Sequence, residues 1–277
     1  MKHVVCVVIG LCVILLMYGT LHNWTYDVVD EYSYPSGPNC ISNVKNKTNS
    51  AILIPATTRN MDAPDLKSLS LKKIALPSIS VTMDTKYQYA VYIAIDEDDY
   101  LVNAQDIIAQ RFCFVKVIVV KGGTFTDAIN EIAEVAHDDN MTYFVRINDD
   151  TRFITQNWTS VGIKTLLEFK PQNVGVVGPT CEEGNTKLLT HDMVHRTHLD
   201  IFGYYYSPVF DNFWAEEWIT EIYKPNRSRK RLDWTVRHQS IHGTRYEFNQ
   251  DIFKYFENMQ KQDKLLIEQY LNFHSMT

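Results

Sequence analysis

Tyr143-Phe144-Val145-Arg146-Ile147-Asn148-Asp149-Asp150-Thr151 is a short apolar run that ends abruptly on an amide and two carboxylates. Tyr143 to Ile147 reads as a buried strand, and the polar residues after it as the loop at its carboxyl end. Upstream, Ala128, Ile129, Ile132, Ala133 and Ala136 recur at helical spacing, with Thr126 as the expected N-cap. Before them, Phe112 to Val120 reads as a buried strand and Leu101 to Arg111 as a helix. Tyr89 to Ile95 is a further strand and ends in Asp96-Glu97-Asp98-Asp99. Ala51 to Pro55 is the first strand, followed by a helical stretch near Asp65 to Ala75, and Val174 to Val177 is the fifth. Strands alternating with helices predict an α/β fold, with a mostly parallel central sheet flanked by helices in a Rossmann-like arrangement. Right-handed crossovers bring the ends of such strands to one edge, where ligands bind. Both acidic clusters belong to that edge.

Composition narrows the class. Of 277 residues, 45% are hydrophobic and 22% charged, and the net charge is −6. No basic stripe suggests a nucleic-acid partner. The one basic run, Arg227 to Arg231 after Pro225, reads as a solvated loop. Residues 4–21 are almost unbroken apolar sequence, spanning roughly 27 Å as a helix. Lys2 and His3 precede this segment and Asp27, Asp30 and Glu31 follow it. The expectation is a single-pass type II anchor with residues 1–3 cytosolic, residues 22–49 as a stem and residues 50–277 as the lumenal domain, in the Golgi or endoplasmic reticulum membrane. A cleaved signal peptide is the alternative. Sequons at Asn23, Asn46, Asn140, Asn157 and Asn226 agree with lumenal exposure. Cys40, Cys113 and Cys181 lie beyond the apolar segment, and their pairing is not readable from sequence.

Four groups of residues could carry chemistry. Asn148-Asp149-Asp150 offers hard oxygen ligands suited to Mn²⁺ or Mg²⁺, or else forms a polar turn that caps its own backbone. Asp96 could accept hydrogen bonds from a base or ribose, or be solvated loop charge. Trp214-Ala215-Glu216-Glu217-Trp218 sets two carboxylates between indoles, where partial burial raises a carboxylate pKa and suits it to act as a general base. The same pattern also fits an amphipathic helix with its tryptophans in the core. Finally, five of the nine histidines fall between His191 and His242, and either His238 or His242 could complete a metal shell, His242 being the more loop-like. The stripe Ile252, Phe256, Met259, Leu266 and Tyr270 marks a terminal helix from about Gln250 to Leu271.

Taken together, the strand ending near Pro55, Thr57 and Arg59, the Asp96-Glu97-Asp98 end, the helix near Asn130, Asn148-Asp149-Asp150, Gly178-Pro179 and the acidic pair between aromatics resemble the GT-A-fold glycosyltransferases, specifically the family-two-like group. The resemblance runs from about Ala51 to Tyr246. It implies transfer of a sugar from a nucleotide-diphospho-sugar donor to a glycan, glycoprotein or glycolipid acceptor, with Mn²⁺ or Mg²⁺ as cofactor. It places Asp150 and Asp149 at the metal, where His242 is the candidate further ligand, and Pro55, Thr57, Arg59, Asp96 and Asp149 at the nucleotide. Glu217, with Glu216 beside it, stands at the base of inverting members. Asn148 departs from the D-x-D pattern, and this favours one alternative, a catalytically degenerate sugar- or nucleotide-binding protein of the same fold. A second alternative is a zinc hydrolase, in which His191 and His195 clamp zinc from one helical face and His198 is a third ligand.

Overall fold

Asn49–Ala56 (β1) is apolar at nearly every position, as a strand covered on both faces must be. Ala51 and Leu53 face one layer of the core together with Ala90, Tyr92 and Ala94, so Ile52 and Ile54 face the other. The computed structural model describes residues 47–59, 61, 65, 69–105, 108, 115–121, 123–182, 187–239 and 253–275. Among the described residues no helix is long and apolar enough to cross a membrane, and the apolar segment 4–21 lies outside them.

β1 pairs in parallel with β2 (Gln88–Asp96) and β4 (Tyr143–Arg146), and β2 pairs in parallel with β3 (Val115–Val120). Leading into β2 is helix α1 (Leu76–Thr82), which continues a π-helical turn over Leu71–Ala75. After β2, Asp99 caps a 3₁₀ turn at Tyr100–Ala104; Gln105 and Ile108 are helical, and the other residues up to Arg111 of the expected helix lie outside the described residues. Helix α2 (Phe125–Asp138) buries Ala128, Ile129, Ile132, Ala133 and Ala136, as its spacing predicts. Its N-cap is Thr124, whose hydroxyl accepts from the Asp127 N–H, and Thr126 lies inside the helix.

The sheet has eight strands in the order β3-β2-β1-β4-β7-β6-β8-β5. β5 is Thr151–Phe153, β6 Val176–Cys181, β7 Asp192–His195 and β8 Ser228–His238. The sheet is mixed: the expected parallel pairing holds among β1, β2, β3 and β4 and again between β6 and β8. β7 runs antiparallel to both β4 and β6, and β5 runs antiparallel to β8. The physical reason is chain length: β6 ends at Cys181 and β7 begins at Asp192, too short a connection for the crossover of about a dozen or more residues that a parallel pair needs. The basic run at Arg227–Arg231, expected as a loop, continues into β8, where Arg229 pairs with Glu168 and Arg231 with Asp233.

Helix α3 (Trp158–Glu168) seats Trp158 against Trp234 of β8, with ring centroids 5.5 Å apart, and against Phe153 at 4.6 Å. Two short helices, α4 (Thr197–Phe202) and α5 (Ala215–Ile222), lead to the final helix α6 (Phe253–Ser275). α6 turns Phe256, Met259, Ile267 and Tyr270 toward the core, whereas Leu266, expected in that stripe, is 38% exposed. Cys181 is buried and free, and Cys40 and Cys113 lie outside the described residues.

Gly178 shows how tightly β6 and β7 approach each other. A Cβ there would lie 2.3 Å from the His191 carbonyl oxygen, a backbone atom that cannot swing aside. Gly178→Ala is therefore expected to destabilise the fold by about 1–3 kcal/mol, the usual cost of overpacking, as read by urea denaturation.

Candidate functional site

Parallel register sets the ends of β1, β2 and β4 side by side. Ala56 is level with Ile95, and Ile147 donates to the Leu53 carbonyl as the chain leaves β4. Beyond these ends lie two clusters, separated by β1 and so roughly 10 Å apart at the strand spacing.

The first cluster is organised by Asp99, the last residue of the acidic run after β2. Its carboxylate accepts from the Thr57 hydroxyl at 2.7 Å, from the Thr58 N–H at 2.7 Å and hydroxyl at 2.8 Å, and from the Leu101 N–H at 2.9 Å. These bonds fix the loop after β1 to the loop after β2. Arg59 then reaches across to Asp96 at 3.0 Å. Burial raises the Asp96 pKa; Arg59 opposes the shift, and Asp98 and Asp99 add to it. Pro55 is buried within β1.

The second cluster is built on Arg146, which is 0% exposed near the end of β4. Its Nε donates to the Tyr206 hydroxyl at 2.6 Å, one terminal nitrogen to Asn148 Oδ1 at 3.1 Å, and the other to Glu216 at 2.6 Å. Asp192 lies 3.5 Å from the guanidinium and accepts from Tyr205 at 2.6 Å and Tyr206 at 2.5 Å. Phe125 and Tyr206 flank the cation with their rings. Burial alone would lower the pKa of Arg146, but Tyr206, Glu216 and Asp192 outweigh it, so the group is held firmly protonated. Asn130 accepts from the Tyr205 and Tyr206 N–H groups and donates to the Tyr206 carbonyl, which fixes the tyrosine pair. One cation thus ties the loop after β4 to the first turn of α5.

Glu216 and Glu217 are thereby set apart. Glu216 is held by Arg146, whereas Glu217 is half-buried, and desolvation, with Glu216 adjacent, raises its pKa. The indoles on either side are structural. Trp218 is fully buried and donates to Asp263 of α6 at 2.8 Å, and Trp214 packs on Phe253 and Phe256.

Asp149 and Asp150 are buried, at 5% and 7% exposure. Asp150 Oδ1 is sealed from solvent with no donor aligned on it as a hydrogen bond, yet His238 Nε2 of β8 lies 2.8 Å away. Two ligands side by side on one ion, each at ~2.1 Å, would stand about 3 Å apart, close to the spacing already present. Among the described residues no cluster of three His, Cys, Asp or Glu side chains is placed to hold a metal; Asp150 and His238 are the acid and imidazole that lie together here. His242 lies outside the described residues.

The zinc-clamp expectation is corrected. Asp192–His195 is a strand, so His191 and His195 stand about 13 Å apart along it rather than one helical turn. His191 is buried against Thr151, His195 bonds Thr197, and His198 bridges Tyr223 and the Tyr205 carbonyl. Burial lowers the pKa values of His195 and His198 to about 4.

No family model and no curated protein matches the chain. Solved structures do match its fold. S. aureus TarS residues 1–349 in complex with UDP superposes with a TM-score of 0.53 at 10% identity, over 81% of this chain and 70% of that one. The mannosyltransferase PcManGT from Pyrobaculum calidifontis, in complex with GDP-Man and Mn²⁺, gives 0.51 at 10% identity over 95% and 83%. A longer S. aureus TarS structure gives 0.52 at 9% identity, and this chain spans 39% of its length. The fold is that of the GT-A-type glycosyltransferases.

Arg146→Met strands Asp192 and Glu216 without their cation and is expected to cost about 3–5 kcal/mol in urea denaturation, as breaking a buried ion pair does. Glu217 carries a pH signature. With its folded pKa raised, its contribution to stability is greatest at acid pH and declines as pH rises through the raised value. Glu217→Gln is therefore expected to match the wild type in thermal stability at acid pH and to exceed it at neutral pH.

Proposed function

We propose that this chain transfers a glycosyl group from a nucleoside-diphospho-sugar to an acceptor hydroxyl, as an inverting enzyme in the lumen of the secretory pathway. The observation that carries the reading is the placement of Asp96, Asp149, Asp150 and the Glu216–Glu217 pair at one sheet edge in a GT-A-type fold. In this reading Asp96 and Asp149 orient base and ribose, with Thr57 and Arg59 shaping the pocket. Asp150 and His238 hold Mn²⁺ or Mg²⁺, which when bound neutralises the diphosphate and eases its departure.

Glu217 is the base. Burial raises its pKa, which makes its carboxylate a better acceptor for the proton of an acceptor hydroxyl. The acceptor oxygen attacks the anomeric carbon as the bond from that carbon to the diphosphate oxygen breaks, and the proton ends on Glu217. Glu216, held by Arg146, positions the first turn of α5. Asn148 presents its carbonyl oxygen to Arg146, which leaves its amide N–H groups as donors for a ligand oxygen. An amide in place of an acid at this position is compatible with donor binding through that inverted polarity.

UDP and GDP with Mn²⁺ test the donor side. At a hundredfold excess over Kd the cognate nucleotide is expected to add about 2.7 kcal/mol of stability, seen as a rise in melting temperature. The rise should need metal and vanish in Asp150→Asn and His238→Ala. Glu217→Gln is expected to keep the rise yet lose 10²–10⁴-fold in transfer to the acceptor. Nucleotide binding with no transfer from any donor sugar would mark a degenerate binding protein instead.

A further inference from the structure

Register places three sequons on one side of the molecule. Asn49, the first residue of β1, accepts from the Thr142 N–H at 2.7 Å and donates to the Asn140 carbonyl at 3.1 Å, so Asn140 sits where β1 and β4 begin. The Asn157 N–H donates to Thr82 at the end of α1, and Thr159 of the same sequon bonds Tyr89, the second residue of β2, at 2.7 Å. Asn226 stands two residues before Ser228, which pairs with Val176 at the start of β6. Val176 in turn is level with Val194, beside the His195–Tyr143 pair at the start of β4. All three asparagines are exposed, and Asn140 and Asn157 occupy left-handed turns with φ of 59° and 56°. The candidate site lies at the opposite ends of β1, β2 and β4, some 20 Å or more away along β1 and β2.

We propose that Asn140, Asn157 and Asn226 carry N-linked oligosaccharides, so that the edge where the strands begin is sugar-coated and the edge where they end stays open to donor and acceptor. The modification uses a polyprenyl-diphosphate-linked oligosaccharide and the host's oligosaccharide-transferring enzyme. The asparagine amide nitrogen attacks the anomeric carbon, the C–N bond forms as the C–O bond to the diphosphate breaks, the amide proton passes to the host enzyme, and polyprenyl diphosphate leaves. A branched oligosaccharide is bulky and solvated, so it is tolerated on exposed turns and would obstruct a substrate crevice. The proposal rests on the lumenal part of the functional reading and is independent of the donor chemistry. Asn23 and Asn46 lie outside the described residues.

The test is expression of the full chain in a eukaryotic host, enzymatic release of N-glycans in ¹⁸O water and mass spectrometry of the three peptides. Labelled aspartate at two or more of positions 140, 157 and 226 is expected, with Asn140→Gln, Asn157→Gln and Asn226→Gln each removing one glycan. Labelling at none or only one of them overturns the proposal. The UDP- or GDP-induced rise in melting temperature should be the same before and after glycan release; a rise that emerges only after release would overturn the placement. Absence of any nucleotide response, with the three positions labelled, would instead count against the donor reading alone.

Discussion

The guanidinium of Arg146 is the constraint on which the rest of this site depends. A cation at 0% exposure in the middle of an α/β sheet is intolerable unless paired, so the surrounding chain must deliver carboxylates and hydroxyls to it. It receives them from β7 through Asp192, from the loop after α4 through Tyr206, and from α5 through Glu216. These segments follow one another closely in sequence, well after Arg146, and share no ladder with one another. The cation gives them a common centre, and the loop after β4 is held in the same grip through Asn148.

The other half of the edge uses the opposite charge in the same manner. Asp99 is an anion satisfied by neutral donors from the loop after β1, and Arg59 of that loop pairs with Asp96. Local charge is thus committed to architecture at Asp99 and Arg146, and Asp96, Asp149 and Glu217 lie beside them. Such a division is what preorganised binding requires, because groups that meet a ligand keep their geometry only when others hold the backbone.

Sequence made the parallel half of the fold legible. β1, β2 and β4 are continuous apolar runs, and α2 shows an unbroken helical stripe, because burial on both faces or along one face leaves a clean period. The second half resisted for a physical reason. β8 carries Arg229, Arg231 and Arg237 on a half-exposed ribbon, and its pairing with β6 slips between Pro179 and Thr180, so neither period survives. The two-histidine spacing of a helical clamp occurs in β7 by coincidence of number. Both acidic clusters and the Glu pair were legible as candidate residues, whereas the structural parts of Asp99 and Asp192 were not, since these come from partners far along the chain. Arg146 could have been found: a lone arginine inside a strand expected to be buried demands anionic company.

β3 closes one side of the sheet as Val115-Lys116-Val117-Ile118-Val119-Val120, a six-residue stretch rich in β-branched residues, with Val119 37% exposed. Its outer side faces no described strand. Runs of this composition template intermolecular pairing when left bare. Lys116 interrupts it with a charge, anchored to Asp139 at the end of α2. That single ion pair therefore also serves colloidal solubility: it is a gatekeeper whose loss would be felt in the fate of concentrated or partly unfolded protein more than in the native state.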